Sequence, residues 1–328
     1  MKHFDRIFSL LVVTAAICLL ASCSGKRGDS DKNDLVIFHA GSLSIPFKQI
    51  SESFRKENPG VNVFMEAAGS RACARKISDL ELPCDVMASA DYSVIDELLI
   101  PEHAGWNIKF AGNEMVIAYH AESGRAGEID GDNWHEMLLD DDVAFGRSDP
   151  NADPCGYRAV MTMQLAEKYY GAEGLSRSLQ EKDKRYIRPK ETDLLALLES
   201  HTIDYIFLYR SVAEQHGLEI LPLPDEINLK KPEFADYYRT AAVEVSGRKP
   251  HTTITKKGTP MVYGITIPKN SPNPELAVSF VSYLLDESKG MAIMEKNGQP
   301  SVVPSQTDTY EKLPEELKRY ALPAGNGD

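Results

Sequence analysis

Leu35-Val36-Ile37-Phe38-His39-Ala40-Gly41-Ser42-Leu43 is the stretch whose reading decides the fold. A β-branched and aromatic run that ends in small residues and passes into an amphipathic pattern reads as strand, tight turn, helix. Pro46 suits a first helical turn, and Phe47, Ile50 and Phe54 recur on one face until Pro59-Gly60 stops the helix. Such a turn leaves backbone donors open at a helix N-terminus, a ready anion site. The chain repeats the device with a strand over 61–65, the turn Ala67-Ala68-Gly69-Ser70, and a helix carrying Ile77 and Leu80. Taken singly, Ser42 and Ser70 read as plain helix caps. As a pair from adjacent βα units, they can face one ligand.

Outward from these turns the pattern stays βαβα to about residue 120. A strand spans 85–89, Asp91-Tyr92 opens a helical stretch, and 115–119 reads as a further strand. This is α/β patterning with a parallel sheet. A second block holds a helix over 134–139, a strand over 143–146, a long helix after Asp153 and a strand over 203–209, followed by Pro222, Pro224 and Pro232. The chain then resumes with a strand over 261–267 and a helix in which Leu276, Phe280 and Leu284 line up, an element of the first domain. The expectation is two α/β lobes joined by a hinge: 35–120 with 256–328 in one, 121–255 in the other. Ligands of open α/β sheets sit at the carboxyl ends of strands, where the serine turns would lie.

The N-terminus carries Lys2 and Arg6, an apolar stretch over 7–20, and Leu20-Ala21-Ser22-Cys23. That stretch is too short to span a bilayer and reads as an export signal over 1–22, with small residues before a cysteine as in a bacterial lipobox. Cys23 would carry the lipid anchor, and the polar segment 23–34 would be a tether. The remaining ~300 residues suffice for two domains. A net charge of −13 with no basic stripe argues against nucleic acid. Cys73 and Cys84 flank the second helix and are the natural disulfide pair in an oxidising compartment, with two separate buried thiols as the alternative.

The densest polar loop of the second block runs from Ser148 to Arg158. Asp153 before Pro154 is an N-cap with proline at the first helical position, and needs no function to sit there. The loop follows a strand, however, and would aim this carboxylate at the two serine turns. Glu191 opens a further helix with Leu194, Leu195 and Leu198 as its apolar stripe, a placement the helix dipole alone accounts for. Enzyme signatures are absent: there is no HExxH, GxSxG, Walker or GxGxxG motif. Cys155 is the one conceivable nucleophile, for a cysteine-dependent hydrolase, although no paired base is visible. The pairs Tyr169-Tyr170 and Tyr237-Tyr238 raise a ferric-ion site as another alternative.

Between about Leu35 and Pro304 the chain resembles the molybdate/tungstate-binding proteins of ABC importers, of the type described in archaea. The likeness is carried by HAGSL at His39, EAAGS at Glu66, ASADY at Ala88, NW at Asn133, DPCGYR at Asp153, IDYIFLYRSVAEQHG at Ile203, VYGITIPKN at Val262 and NGQP at Asn297. It implies a type II periplasmic-binding fold that closes on one oxyanion, tungstate or molybdate, with no cofactor and no catalysis. Matched by position, Ser42 and Ser70 with Gly41 and Gly69, and the hydroxyl of Tyr209, would contact the oxyanion. Asp153 and Glu191 would coordinate its metal and complete six-coordination. The implied partners are an ABC permease and its ATPase, the implied form a monomer tethered outside the cytoplasmic membrane. Another oxyanion such as sulfate is the rival ligand. The segment between Gly171 and Arg188 is shorter than in archaeal relatives, and Arg71 stands where a small residue is usual, which would bring a positive charge near the anion.

Overall fold

The computed structural model describes residues 32–325; the expected signal segment, Cys23 and nearly all of the expected tether lie outside the described residues. Two five-stranded sheets with one shared strand order build the molecule. The chain lays down β1 (Asp34–Ala40), β2 (Asn62–Ala68), β3 (Val86–Ser89) and β4 (Ile108–Gly112), then crosses. It continues with β5 (Met115–Tyr119), β6 (Phe145–Ser148), β7 (Ile187–Arg188), β8 (Tyr205–Tyr209) and β9 (Glu219–Pro222). A hairpin of β10 (Ala242–Ser246) and β11 (Thr253–Lys257) leads back to β12 (Val262–Thr266). The sheets run β2-β1-β3-β12-β4 and β7-β6-β8-β5-β9.

Each sheet is mixed where the sequence pattern suggests a parallel one. β1 pairs parallel with β2 and β3, and β6 with β7 and β8. The strand that enters from the other lobe, β12 or β5, is antiparallel to both its neighbours. These strands arrive by direct crossings without a covering helix, so nothing forces them parallel. Residues 115–119, expected in the first lobe, are in the second sheet: Ile117 lies opposite Phe207 and Leu221. An apolar run suits the interior of either sheet, and only its pairing reveals which. The outward crossing is the pair Asn113-Glu114.

Helix α1 (Ser44–Glu57) buries Phe47, Ile50 and Phe54, the face expected from their spacing. Next come α2 (Ser70–Ser78), α3 (Tyr92–Leu98), α4 (Pro154–Tyr170), α5 (Arg210–Gln215) and α6 (Pro274–Leu285). Asp153 caps α4, accepting from the Cys155 amide at 3.2 Å with Pro154 at the first position, and Gly171 ends the helix at φ +66°. In α6, Phe280 meets Phe54 edge-on at 5.3 Å and Phe47 at 6.3 Å, which ties the C-terminal helix to the first lobe. No helix among the described residues is long and apolar enough to cross a membrane.

Cys73 and Cys84 are not bonded to each other. Both are buried and held apart by their own acceptors: the Cys73 thiol faces the His39 carbonyl at 3.5 Å, and the Cys84 thiol faces that of Val86 at 3.2 Å. Burial pushes the Cys73 thiol up to about 12, far from a reactive thiolate.

Truncating the aromatic that joins α6 to α1 tests this packing. Phe280→Ala should lower unfolding free energy by about 3–5 kcal/mol in a urea titration; a loss below ~1 kcal/mol would mean α6 contributes little to the first lobe.

Candidate functional site

The two serine turns meet the second lobe at Asp153 and Glu191. Gly41-Ser42-Leu43 forms one 3-10 turn ahead of α1, so Ser42 is not the helix cap its position suggests. Glu191 lies directly against this turn: a Cβ on Gly41 would stand 2.9 and 3.1 Å from the two carboxyl oxygens. Gly69 is equally constrained, since a Cβ there would come within 2.3 Å of the Ala152 carbonyl. That carbonyl accepts from the amides of Arg71 and Ala72, at 3.1 and 3.2 Å, so the first turn of α2 is docked on the opposite lobe. Both glycines are there because backbone or carboxyl from across the cleft occupies the space of a side chain.

Asp153 and Glu191 are fully enclosed and adjacent. One oxygen of Asp153 accepts from the Cys155 amide and the other from the Glu191 amide at 2.9 Å. Both carboxyl oxygens of Glu191 are buried and receive no side-chain hydrogen bond of ordinary geometry among the described residues; the Asp153 carboxyl adjoins them and the Ser42 amide faces them. Among the described residues no cation forms an ion pair with either carboxyl. Burial first, then the charge of Asp153, raises the Glu191 carboxyl well above its ordinary range. Asp153 is raised too, by burial, with its hydrogen bonds opposing the shift. Glu191 opens a 3-10 turn, Glu191–Leu194, that runs into a short helix, Leu195–Glu199, where the leucine spacing suggests one continuous helix.

Tyr209, at the end of β8, is fully buried, and its hydroxyl accepts from Arg158 at 2.9 Å. The same Arg158 amino group donates to the Ala90 carbonyl at 2.8 Å. The Ala90 amide in turn donates to the Ser70 hydroxyl at 2.9 Å. Ser42, Ser70, Tyr209, Asp153 and Glu191 are therefore linked within one closed region between the lobes, together with Gly41 and Gly69.

A second buried carboxylate nearby has the opposite character. Asp91 caps α3 and receives the Tyr157 hydroxyl, with Lys256 at 3.5 Å and Arg158 at 3.8 Å. Burial alone would raise this carboxyl; Lys256 and Arg158 outweigh it and hold the group well below the usual carboxylate range. Arg158, Tyr157 and Asp91 all stand in segments quoted for the family resemblance, which was the signal for them. Their pairing across the cleft was not deducible from one-dimensional spacing.

Several sequence expectations resolve differently. The Arg71 guanidinium points away from the serine turns, to the carbonyls of Asn151 and Ser246 and, at 3.9 Å, to Glu97. Cys155 is buried with its thiol facing the Phe207 carbonyl at 3.7 Å, and burial raises its pKa well above the ordinary thiol value, the reverse of an activated nucleophile. The Tyr170 and Tyr238 hydroxyls are taken by the carbonyls of Gly131 and Asp225. No group of three or more His, Cys, Asp or Glu that could hold a free metal ion occurs among the described residues.

The family model described as bacterial extracellular solute-binding protein matches residues 35–299. The chain belongs to that family. Its members bind solutes and are not enzymes. A Petrotoga mobilis protein called an uncharacterized solute-binding protein is 50% identical over 89% of this chain and 91% of its own length. The molybdate/tungstate-binding protein WtpA of Thermococcus kodakarensis is 41% identical, covering 94% of this chain and 93% of its own. Among solved structures, the Azotobacter vinelandii periplasmic molybdate-binding protein matches with a TM-score of 0.59 at 19% identity, over 82% of this chain and 99% of its own. The Mycobacterium tuberculosis sulfate-binding protein SubI gives 0.58 at 11% identity, over 89% and 92%. These likenesses establish the two-lobed type II fold of this solute-binding protein.

The raised Glu191 carboxyl makes ligand-free stability depend on pH. A folded-state pKa above the unfolded one gives stability that is complete below the ordinary carboxyl range and is lost as pH rises through the raised value. Glu191→Gln removes that loss, so the ligand-free variant should melt roughly 2–4 °C above its parent at pH 7, the gap closing toward pH 4. Asp183, pushed up to about 6 by burial against the pull of Arg147, adds a trend of the same sign to both proteins and cancels in the difference. A gap of constant size across pH 4–8 by differential scanning fluorimetry would place the effect elsewhere.

Proposed function

We propose that this chain captures tungstate or molybdate outside the cytoplasmic membrane and passes it to an ABC permease driven by its ATPase. The observation that carries the reading is the Glu191 carboxyl, buried against the Gly41 turn with Asp153 adjacent and no ion pair among the described residues. Two carboxylates facing a dianion would repel it if they met only its oxo groups. They are sensible when their oxygens bind the electron-poor metal itself, since hard ligands suit a hard, high-valent centre. The Ser42 and Ser70 hydroxyls, the Tyr209 hydroxyl and the backbone amides of the two turns then hold the oxo groups. The name of the 41%-identical relative, a molybdate/tungstate-binding protein, supports the same ligand class.

In this reading one lobe comprises β1 to β4 with β12, the other β5 to β9, and they close about the crossings at 112–115 and 257–262. Cys23 bears the lipid that keeps the monomeric protein at the membrane, since Leu20-Ala21-Ser22-Cys23 precedes a polar tether.

X-ray absorption of the tungstate-loaded protein should give a six-coordinate metal, and a tetrahedral spectrum would refute coordination by Asp153 and Glu191. Asp153→Asn with Glu191→Gln should retain part of the tungstate affinity while losing that geometry and much of the preference over sulfate. Ser42→Ala with Ser70→Ala should weaken all oxyanions together, by about 10- to 100-fold if each lost hydrogen bond contributes its usual share.

Membrane attachment is a separate test. Cys23→Ala should move the protein from the membrane fraction to the soluble one, and unchanged fractionation would exclude an anchor at that residue.

A further inference from the structure

The hydroxyl of Ser42 is bonded, but in a way that fixes which partner gives the proton. Tyr263, on β12, stands 2.9 Å from the Ser42 Oγ. Its phenol oxygen receives Asn113 Nδ2 at 2.9 Å and Gln299 Nε2 at 3.5 Å. The orientation of the Asn113 amide is set by donors that cannot reverse: its Oδ1 accepts from the backbone amides of Glu114 at 2.9 Å and Ser211 at 3.4 Å. Nδ2 must therefore face Tyr263 and, at 2.7 Å, the Ser211 hydroxyl. Gln299 is oriented by the Ser42 carbonyl, which accepts from its Nε2 at 3.0 Å.

A phenol has one proton and two lone pairs. With Asn113 and Gln299 filling the lone pairs of Tyr263, its proton has one place left, the Ser42 oxygen. Ser42 then accepts from Tyr263 and keeps its own proton for another partner, and no protein acceptor for that proton is found among the described residues. The turn that carries it faces Glu191 across the cleft.

We infer that Tyr263, oriented by Asn113 and Gln299, is a positioning residue that compels Ser42 to donate its proton into the cleft. It touches no ligand itself. The Ser42 hydroxyl then meets an anion as a donor, which suits an unprotonated oxygen. The inference rests on the oxyanion reading and adds a residue group to it. The chain of bonds starts in the crossing between the lobes, because Asn113 joins β4 to β5 while holding Ser211 in the first turn of α5.

Titration calorimetry with tungstate on four proteins tests it: the parent, Tyr263→Phe, Ser42→Ala and the double variant. Tyr263→Phe should weaken binding about five- to thirty-fold in the parent background and less than about two-fold once Ser42 is Ala. Asn113→Asp gives the same test without altering Tyr263, and serves if Tyr263→Phe does not fold: the introduced acceptor draws the phenol proton away from Ser42. Its loss should likewise vanish in the Ser42→Ala background. Equal losses in both backgrounds, or none in either, would overturn the inference while leaving the oxyanion reading intact. A parent protein that binds no oxyanion would overturn that reading and this inference with it.

Discussion

The structure must keep water away from two adjoining carboxyls, Asp153 and Glu191, that pair with no cation among the described residues. Asp153 is accommodated by the Cys155 amide at the start of α4 and by the Glu191 amide, and the cost falls on the Glu191 carboxyl, which burial and the adjoining Asp153 raise. Much of the surrounding architecture follows from that enclosure. Gly41 is stripped of a side chain because Glu191 lies on it, and Gly69 because Ala152 reaches across to α2. A site of this kind is stable when its carboxyl holds a proton, and on the proposed reading a ligand that accepts electron pairs would complete it.

Asp91 is the counterexample within the same molecule. It is as deeply enclosed as Glu191, yet Lys256, Arg158 and Tyr157 surround it and keep it ionised. Removing one partner from such a cluster strands a buried charge, which is costly. Asp91 has its complement inside the chain. Glu191 has no such cation among the described residues, and that contrast, rather than burial, is what the proposed ligand role of Glu191 rests on.

How much of this was legible in the sequence depended on whether a feature is local. The strand-turn-helix units at Ser42 and Ser70, the Asp153-Pro154 cap and the buried face of α1 are spelled out by spacing over a few residues, and the structure has them all. The assignment of 115–119 to a lobe failed because an apolar strand carries no record of its partner. The proposed disulfide failed for a similar reason: Cys73 and Cys84 flank one helix, but each sulfur is drawn to a different carbonyl. Arg71 was expected near the anion on the strength of its neighbour Ser70. A side chain at the next position of a helix points elsewhere, and it found Asn151 and Ser246 instead. Tyr263 and Asn113 lie 221 and 71 positions from Ser42, beyond the reach of any periodicity.

The strand order has a bearing on how the chain comes to be folded. All five strands of the second sheet lie within one continuous stretch, Met115 to Pro222, so that lobe can pair its strands as soon as that length of chain is free. The first sheet cannot close until β12 arrives after it, and α6 must follow to cover α1. The half laid down first is thus the half finished last, its loop closure spanning the whole of its neighbour. In the interval β3 and β4 present unpaired edges to one another, the kind of surface that invites aggregation and that a folding helper would recognise.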